Sequence, residues 1–300
     1  MGIIFIFFKK IKLIALIGII VIFFSCDKFD GDQTIPAYIQ IDKFILDKNA
    51  ILAEGSLSNK ITDVWVYVDD ELIGAFELPA KFPVLKKGKH TITLAPGIKM
   101  NGIASTRVEY PFYKKIYLYD FNLSEDSTSH IDTTLTKTSY REDTDFKWKE
   151  DFEDGGVSMQ KRSGSDTNII KTSITANIFE GLYSGLIYLD QNQSFFEVET
   201  IHNYILPKNG SPVFLEMNYK SNNTVRVGLL AYFPTKIVQI STLVLYPSAE
   251  WKKIYINFTP DLGDLYAATD FKIFYGEYKS SENQTVSVLF DNIKLVHRKQ

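Results

Sequence analysis

The side chains that most often carry out catalysis are few and scattered in this chain. The four histidines, His90, His130, His202 and His297, lie far apart, with no His-Glu-x-x-His spacing. No Gly-x-Ser-x-Gly turn, glycine-rich phosphate loop or Cys-x-x-Cys pair occurs. A glycosidase would need two carboxylates about 5 to 10 Å apart, and nothing singles out such a pair among 36 Asp and Glu residues. We therefore expect a protein that is not an enzyme.

Cys26 is the only cysteine, and the residues before it are typical of an export signal. Three lysines precede an apolar run from Leu13 to Phe24, and Ser25 follows. This run would rise only about 18 Å as a helix, short of the ~30 Å core of a bilayer, so a membrane span is the weaker alternative. Residues 1–25 resemble a bacterial lipoprotein signal peptide. The resemblance implies lipidation of Cys26 and an outer-membrane lipoprotein, on the cell surface or the periplasmic face.

Residues 26–36 form an acidic tether that contains Asp27, Asp30 and Asp32. The tether resembles the acidic export signals of surface lipoproteins in the Bacteroidota, and a solvated linker is the alternative. Removal of residues 1–25 leaves 30 basic and 36 acidic residues, a net charge of −6. Such a charge does not suit a nucleic-acid partner. With Cys26 lipidated, no thiol remains for a disulfide or a cysteine metal site.

Residues 37–123 have the pattern of short strands separated by turns. Val64 to Val68 leads through two aspartates into Leu72 to Leu78, which is typical of a hairpin, and Gly88 to Leu94 alternates as a strand. The pattern predicts an all-β sandwich. The run from Val66 to Gly97 resembles PEGA and carboxypeptidase-regulatory-like modules. The resemblance implies a small Ig-like sandwich without catalytic function.

Residues 124–145 differ in composition, being rich in Ser, Thr and Asp. We interpret this stretch as a domain boundary, either a linker or a last strand. Two triplets that begin at Asp126 and Asp132 resemble the O-glycosylation acceptor pattern of exported Bacteroidota proteins. Ser127 and Thr133 are therefore candidate glycan sites.

Residues 146–300 alternate strongly between apolar and polar side chains. Val213 to Lys220 and Val225 to Phe233 each predict a half-buried strand, and Asn222-Asn223 between them predicts a hairpin turn. The segments WKEDFEDGG, EGLYSGLIYLD and VLFDNIKLV resemble a galactose-binding-like jelly roll of the carbohydrate-binding-module type. The predicted fold class is all-β, an Ig-like β-sandwich followed by a β jelly-roll sandwich.

The alternation also predicts a polar face that could bind a ligand. Sugar-binding sheets combine aromatic rings, which stack on pyranose faces, with planar polar groups that bind pairs of hydroxyls. Any half-exposed sheet shows a similar alternation, which is the alternative interpretation. The candidate ligand-binding residues are Glu216, Asn218, Arg226, Tyr232 and Tyr278.

A structural calcium is the one cofactor that the resemblance implies. Jelly rolls of this type often hold calcium between the first and last strands, and the matching positions are Glu153 and Asp291. The alternative is that Asp291 caps its own turn through Asn292. The tryptophans Trp148 and Trp251 are more typical of packing residues than of ligand platforms.

Two functions remain open at this point. The first is a non-catalytic, outer-membrane-anchored lipoprotein that serves as an interaction or accessory subunit of an outer-membrane protein complex. The alternative is a surface glycan-binding lipoprotein that captures saccharide with its jelly roll. We favour the first, because the predicted polar face lacks a tryptophan.

Overall fold

The computed structural model describes residues 35–281 and 285–299, and nearly all regular structure in them is β. The α-helix within these ranges, α1 (Thr259–Asp264), has six residues. No helix in this part of the chain has the length and apolar character needed to cross a bilayer. The predicted fold class is confirmed, since the strands form two successive sandwiches. The predicted signal peptide and Cys26 lie outside the described residues.

Ten strands build the N-terminal domain. They are β1 (Ala37–Ile41), β2 (Ile45–Leu46), β3 (Asp63–Val68), β4 (Glu71–Glu77), β5 (Ala80–Val84), β6 (Gly88–Lys99), β7 (Arg107–Glu109), β8 (Ile116–Leu123), β9 (Thr128–Ile131) and β10 (Lys137–Thr138). One sheet has the order β4-β3-β6-β7, and β8 also pairs with β6. A second has the order β5-β1-β9, and β2 pairs with β10.

The core of this domain lies between its two larger sheets. Val64, Val66 and Val68 alternate along β3 and are fully buried, and Ile39 and Ile41 face them from β1. Every second side chain of a strand points to the same face, so this valine period places one whole face of β3 in the core. Burial of each such side chain contributes about 1.5 to 3 kcal/mol.

The stretch 124–145 contributes strands to the N-terminal sandwich. β9 pairs in parallel with β1, where Ile131 is in register with Ile41, and β10 pairs in parallel with β2. Tyr140 then forms a bridge to Tyr113. These pairings tie the polar stretch to the sandwich before the chain enters the second domain.

Eleven strands build the C-terminal jelly roll. They are β11 (Thr144–Glu150), β12 (Met159–Lys161), β13 (Ile169–Thr172), β14 (Ser184–Leu189), β15 (Phe195–Thr200), β16 (Val213–Ser221), β17 (Val225–Phe233), β18 (Lys236–Leu245), β19 (Ser248–Asn257), β20 (Asp270–Tyr278) and β21 (Val286–Arg298). We call the sheet β13-β14-β21-β16-β19, in which β11 also pairs with β21, the back sheet. The front sheet is β12-β15-β20-β17-β18.

The predicted hairpin at Asn222-Asn223 is wrong. β16 belongs to the back sheet and β17 to the front sheet, so this turn carries the chain across the sandwich. Leu215 of β16 and Leu229 of β17 are both buried in the same core, facing it from opposite sides. Alternation identifies which side chains of a strand are buried, but it does not distinguish a neighbour in the sheet from a strand across the core.

A third apolar cluster joins the two domains. Phe214, Tyr255 and Val296 lie on the face of the back sheet that points away from the jelly-roll core, and N-terminal aromatic residues pack on them. The centroid of the Tyr110 ring lies 4.9 Å from the ring centroid of Tyr255 and 5.5 Å from that of Phe214. Both pairs of rings meet edge to face. The N-terminal domain therefore covers this half of the back sheet.

Candidate functional site

The five predicted ligand-binding residues do not share one face. Glu216 and Asn218 lie on β16 of the back sheet, whereas Arg226 and Tyr232 lie on β17 and Tyr278 on β20 of the front sheet. The prediction failed because it took β16 and β17 as neighbours in one sheet. The structure therefore divides the candidates between two opposite surfaces of the jelly roll.

Glu216 is fully buried beneath the N-terminal domain. Its carboxylate accepts hydrogen bonds from the hydroxyls of Tyr110 at 2.6 Å and Tyr140 at 2.8 Å, and the ammonium of Lys253 lies 3.5 Å away. Burial, with the Glu216 charge nearby, raises the pKa of both tyrosines well above the usual range. Asn218, with 2 % of its surface exposed, accepts a hydrogen bond from Ser58. Both side chains are thus part of the domain junction.

Lys294 lies in the same junction, and its burial leads us to expect that the stability of the protein depends on pH. Its ammonium donates to the carbonyl oxygen of Ser56, and burial lowers its pKa from 10.5 to about 8. Below pH 8 the lysine is charged in both the folded and the unfolded chain, so the folded state is destabilised by the full free energy of burying that charge. Above pH 8 the folded chain loses this proton first, so the contribution of Lys294 to stability rises with pH, by up to about 3 kcal/mol by pH 10.5.

Urea unfolding between pH 7.5 and 9.0 measures the first part of this rise, because less than about a tenth of each tyrosine ionises in the unfolded chain over that range. Lys294→Met removes the titrating group, so we expect a flatter pH profile for the variant. Equal slopes for the variant and the natural chain would contradict the assignment to Lys294.

The face of the front sheet that points away from the core carries a connected set of charged and amide side chains. Arg162 contacts Glu197 at 2.6 Å and Glu199 at 3.2 Å, and Lys272 contacts Glu199 at 2.7 Å. Gln239 donates to Glu197 at 2.7 Å and accepts from Arg162 at 2.9 Å. Each of the four charged side chains has between 10 and 25 % of its surface exposed. Partial burial and the mutual contacts therefore hold the set in a fixed arrangement at the surface.

Apolar and aromatic residues lie among these polar groups. Leu230 and Phe274 point to the same face, because their strand neighbours face the core, yet both are almost fully buried. Tyr232 lies beside the charged set, and burial together with the charge of Glu199 raises the pKa of its hydroxyl. At one end of the face the ring of Tyr278, 62 % exposed, packs on Phe195 at 4.6 Å.

This face can form many hydrogen bonds to a neutral polar ligand. Guanidinium, carboxylate and amide groups are planar and pair with two adjacent ligand groups at once, and their mutual contacts fix their orientation. The sequence prediction missed Arg162, Glu197, Glu199 and Lys272. The signal was present for two of them, because the glutamates alternate with Phe196 and Val198 along β15, as in a half-buried strand.

The two predicted calcium ligands line one small cavity. Glu153 and Asp291 border a space of about 200 Å³, together with Asp151 and Glu180. The Glu153 carboxylate accepts backbone N–H bonds from Leu182 and Tyr183.

Asp291 in this cavity makes the contact expected of a turn cap. One of its oxygens accepts from the backbone of Asn292 at 2.7 Å, the other from the hydroxyl of Ser184 at 2.6 Å, and burial raises its pKa to about 6. Within residues 35–281 and 285–299, no three His, Cys, Asp or Glu side chains are arranged to hold a metal. Calcium stays a prediction, and coincident melting curves in EDTA and in excess calcium would exclude it.

The remaining candidate residues lie in local structure. Ser127 and Thr133 are half-buried in turns on either side of β9, and their glycosylation stays a prediction that the intact mass of the native protein would test. Both ring nitrogens of His90 are bonded, one to Asp69 at 2.6 Å and one to the carbonyl of Lys87 at 3.0 Å. Trp148 is buried and donates to Ser158.

Carbohydrate-binding modules are among the solved structures that resemble this chain. The xylan-binding domain from CBM 22 covers 52% of this chain and 96% of its own, with 14% identity and a TM-score of 0.36. The family 11 module from Clostridium thermocellum, in complex with a β-1,3-1,4-mixed-linked tetrasaccharide, covers 50% and 95%, with 13% identity and a TM-score of 0.34. No family model and no curated protein matches the chain.

Proposed function

We propose that this protein binds glycans through the exposed face of the front sheet. The observation that carries the proposal is the connected set of planar polar groups, Arg162, Glu197, Glu199 and Gln239, around the ammonium of Lys272. Saccharides present adjacent hydroxyls that both donate and accept hydrogen bonds, and such a set offers partners of both kinds.

Aromatic rings at the edge of the same face support the proposal. Tyr232 lies beside the charged groups, and the exposed ring of Tyr278 is held in place by Phe195. A ring fixed at the surface can stack on the apolar face of a pyranose without a large loss of side-chain entropy. Tyr278 and the charged groups would then contact different units of an oligosaccharide.

Glycan binding by the front sheet takes the place of the function favoured from the sequence. A docking surface for a protein typically has exposed apolar and aromatic side chains at its centre, whereas the apolar residues of this face, Leu230 and Phe274, are buried and the groups around them are polar. The anchor at Cys26 stays part of the proposal, since it would hold the binding face at the outer membrane. Catalysis forms no part of it.

A glycan array with the full-length protein in detergent tests the proposal, followed by calorimetry on the best ligand. Arg162→Ala and Tyr232→Ala are each expected to weaken binding at least tenfold, which corresponds to about 1.4 kcal/mol. Arg141→Ala removes an arginine from an exposed pair with Asp143 and serves as the matched control. Unchanged affinity in both front-sheet variants, with melting temperatures preserved, would contradict the proposal.

A further inference from the structure

A groove lies on the back sheet, beyond the part that the N-terminal domain covers. It encloses about 480 Å³, and each of its described lining residues belongs to the jelly roll. Leu289, 2 % exposed, is one of its apolar residues, and Pro247 and Ala249 form one wall. Asn177 reaches it from the loop between β13 and β14. The groove is therefore separate from both the domain junction and the front sheet.

Lys220 gives this groove its charge. Among the described residues that line the groove there is no carboxylate, and Lys220 is the only lysine or arginine. Within the described part of the chain its ammonium has neither an ion pair nor a hydrogen bond, although the side chain is only partly exposed. An ammonium in this position favours an anionic partner, because the surrounding apolar surface lowers the local dielectric.

Three aromatic residues lie next to residues that line the groove. The rings of Phe179 and Trp251 meet edge to face at 5.4 Å, which joins the loop that carries Asn177 to the strand that carries Ala249. Ala249 and Trp251 are two residues apart on β19 and so point to the same face. Tyr188, 44 % exposed, is in register with the lining residue Ser287.

We propose that this groove is a second binding site, for a saccharide that carries a carboxylate, such as a uronate. The apolar floor and the neighbouring rings suit the faces of a sugar, and the amide of Asn177 and the hydroxyl of Ser287 suit its hydroxyls. The Lys220 ammonium pairs with the carboxylate. The volume admits about two sugar units, since pockets of roughly 300 to 1,000 Å³ hold small ligands. The site uses none of the front-sheet residues and does not depend on glycan binding there.

The matched sugars cellobiouronic acid and cellobiose test the proposal, because they differ only in one carboxylate. Titration calorimetry on the full-length protein in detergent is expected to show at least tenfold tighter binding of the acid. Lys220→Gln keeps the hydrogen-bonding capacity, removes the charge and should abolish that preference. Ala249→Phe fills the groove from an exposed position and should abolish binding of both sugars.

The front-sheet variant Arg162→Ala separates the two sites. It should leave the affinity for cellobiouronic acid within twofold, whatever it does to other glycans. Equal affinity for the two sugars, no measurable binding of either, or an unchanged preference in Lys220→Gln would each overturn the second site. Loss of acid binding in Arg162→Ala would also overturn it, because the acid would then occupy the front sheet.

Discussion

Replacement of Glu216 by glutamine is expected to lower the free energy of unfolding by about 3 kcal/mol. The substitution keeps the size of the side chain and removes the charge that offsets Lys253 and Lys294, both of which are buried. Breaking a buried ion pair from one side typically costs about 3 to 5 kcal/mol, because the partner charge is left without compensation. Tyr110 and Tyr140 also lose a charged acceptor for their hydroxyl groups.

Urea unfolding at pH 7, with tyrosine and tryptophan fluorescence as the signal, measures this loss. The control is Glu71→Gln, which breaks a 3.2 Å pair with Lys86 at a carboxylate that is 70 % exposed. Exposed pairs contribute little, so the control should unfold like the natural chain. Tyr140→Phe should have an intermediate effect of about 1.5 kcal/mol, the loss of one hydrogen bond to a charged group. A Glu216→Gln variant as stable as the control would refute the structural role of the carboxylate.

The second large effect is expected at Gly228 on the front sheet. A Cβ atom at this position would lie 1.9 Å from the backbone oxygen of Ile240 and 2.8 Å from the ring of Phe274. The pairing of β17 with β18 shifts register between Val227 and Gly228, which brings the two backbones together there. A backbone atom cannot move aside as the end of a side chain can, so Gly228→Ala should cost about 3 kcal/mol.

A matched variant separates this close approach from the general effect of adding a methyl group. At Gly155 no atom lies within 4 Å of the added Cβ, so Gly155→Ala should change the urea midpoint little. Gly228→Ala should also weaken glycan binding, because Phe274 and its polar neighbours must shift. A loss below 1 kcal/mol at Gly228, with binding unchanged, would show that β18 can move away freely.

The sequence predicted the strands well where one face of a strand is fully buried. The alternation along β16 and β17 assigned the core-facing side chains of both strands correctly. It did not predict which sheet each strand joins, since Val225 to Phe233 would show the same period in either sheet. The prediction of one polar face therefore combined Glu216 and Tyr232, which lie on opposite surfaces of the jelly roll.

The sequence alone determined the all-β class, the alternation of core-facing side chains along the strands and the expectation of an anchor at Cys26. All three depend on residues close together in the chain. The tertiary structure decided which polar residues could meet a ligand. Glu216 and Arg226 are both charged residues between core-facing neighbours of their strands. The N-terminal domain packs on Glu216 and buries it, whereas Arg226 stays at the surface. Contacts between distant segments determine that difference, and side-chain alternation within one strand does not encode them.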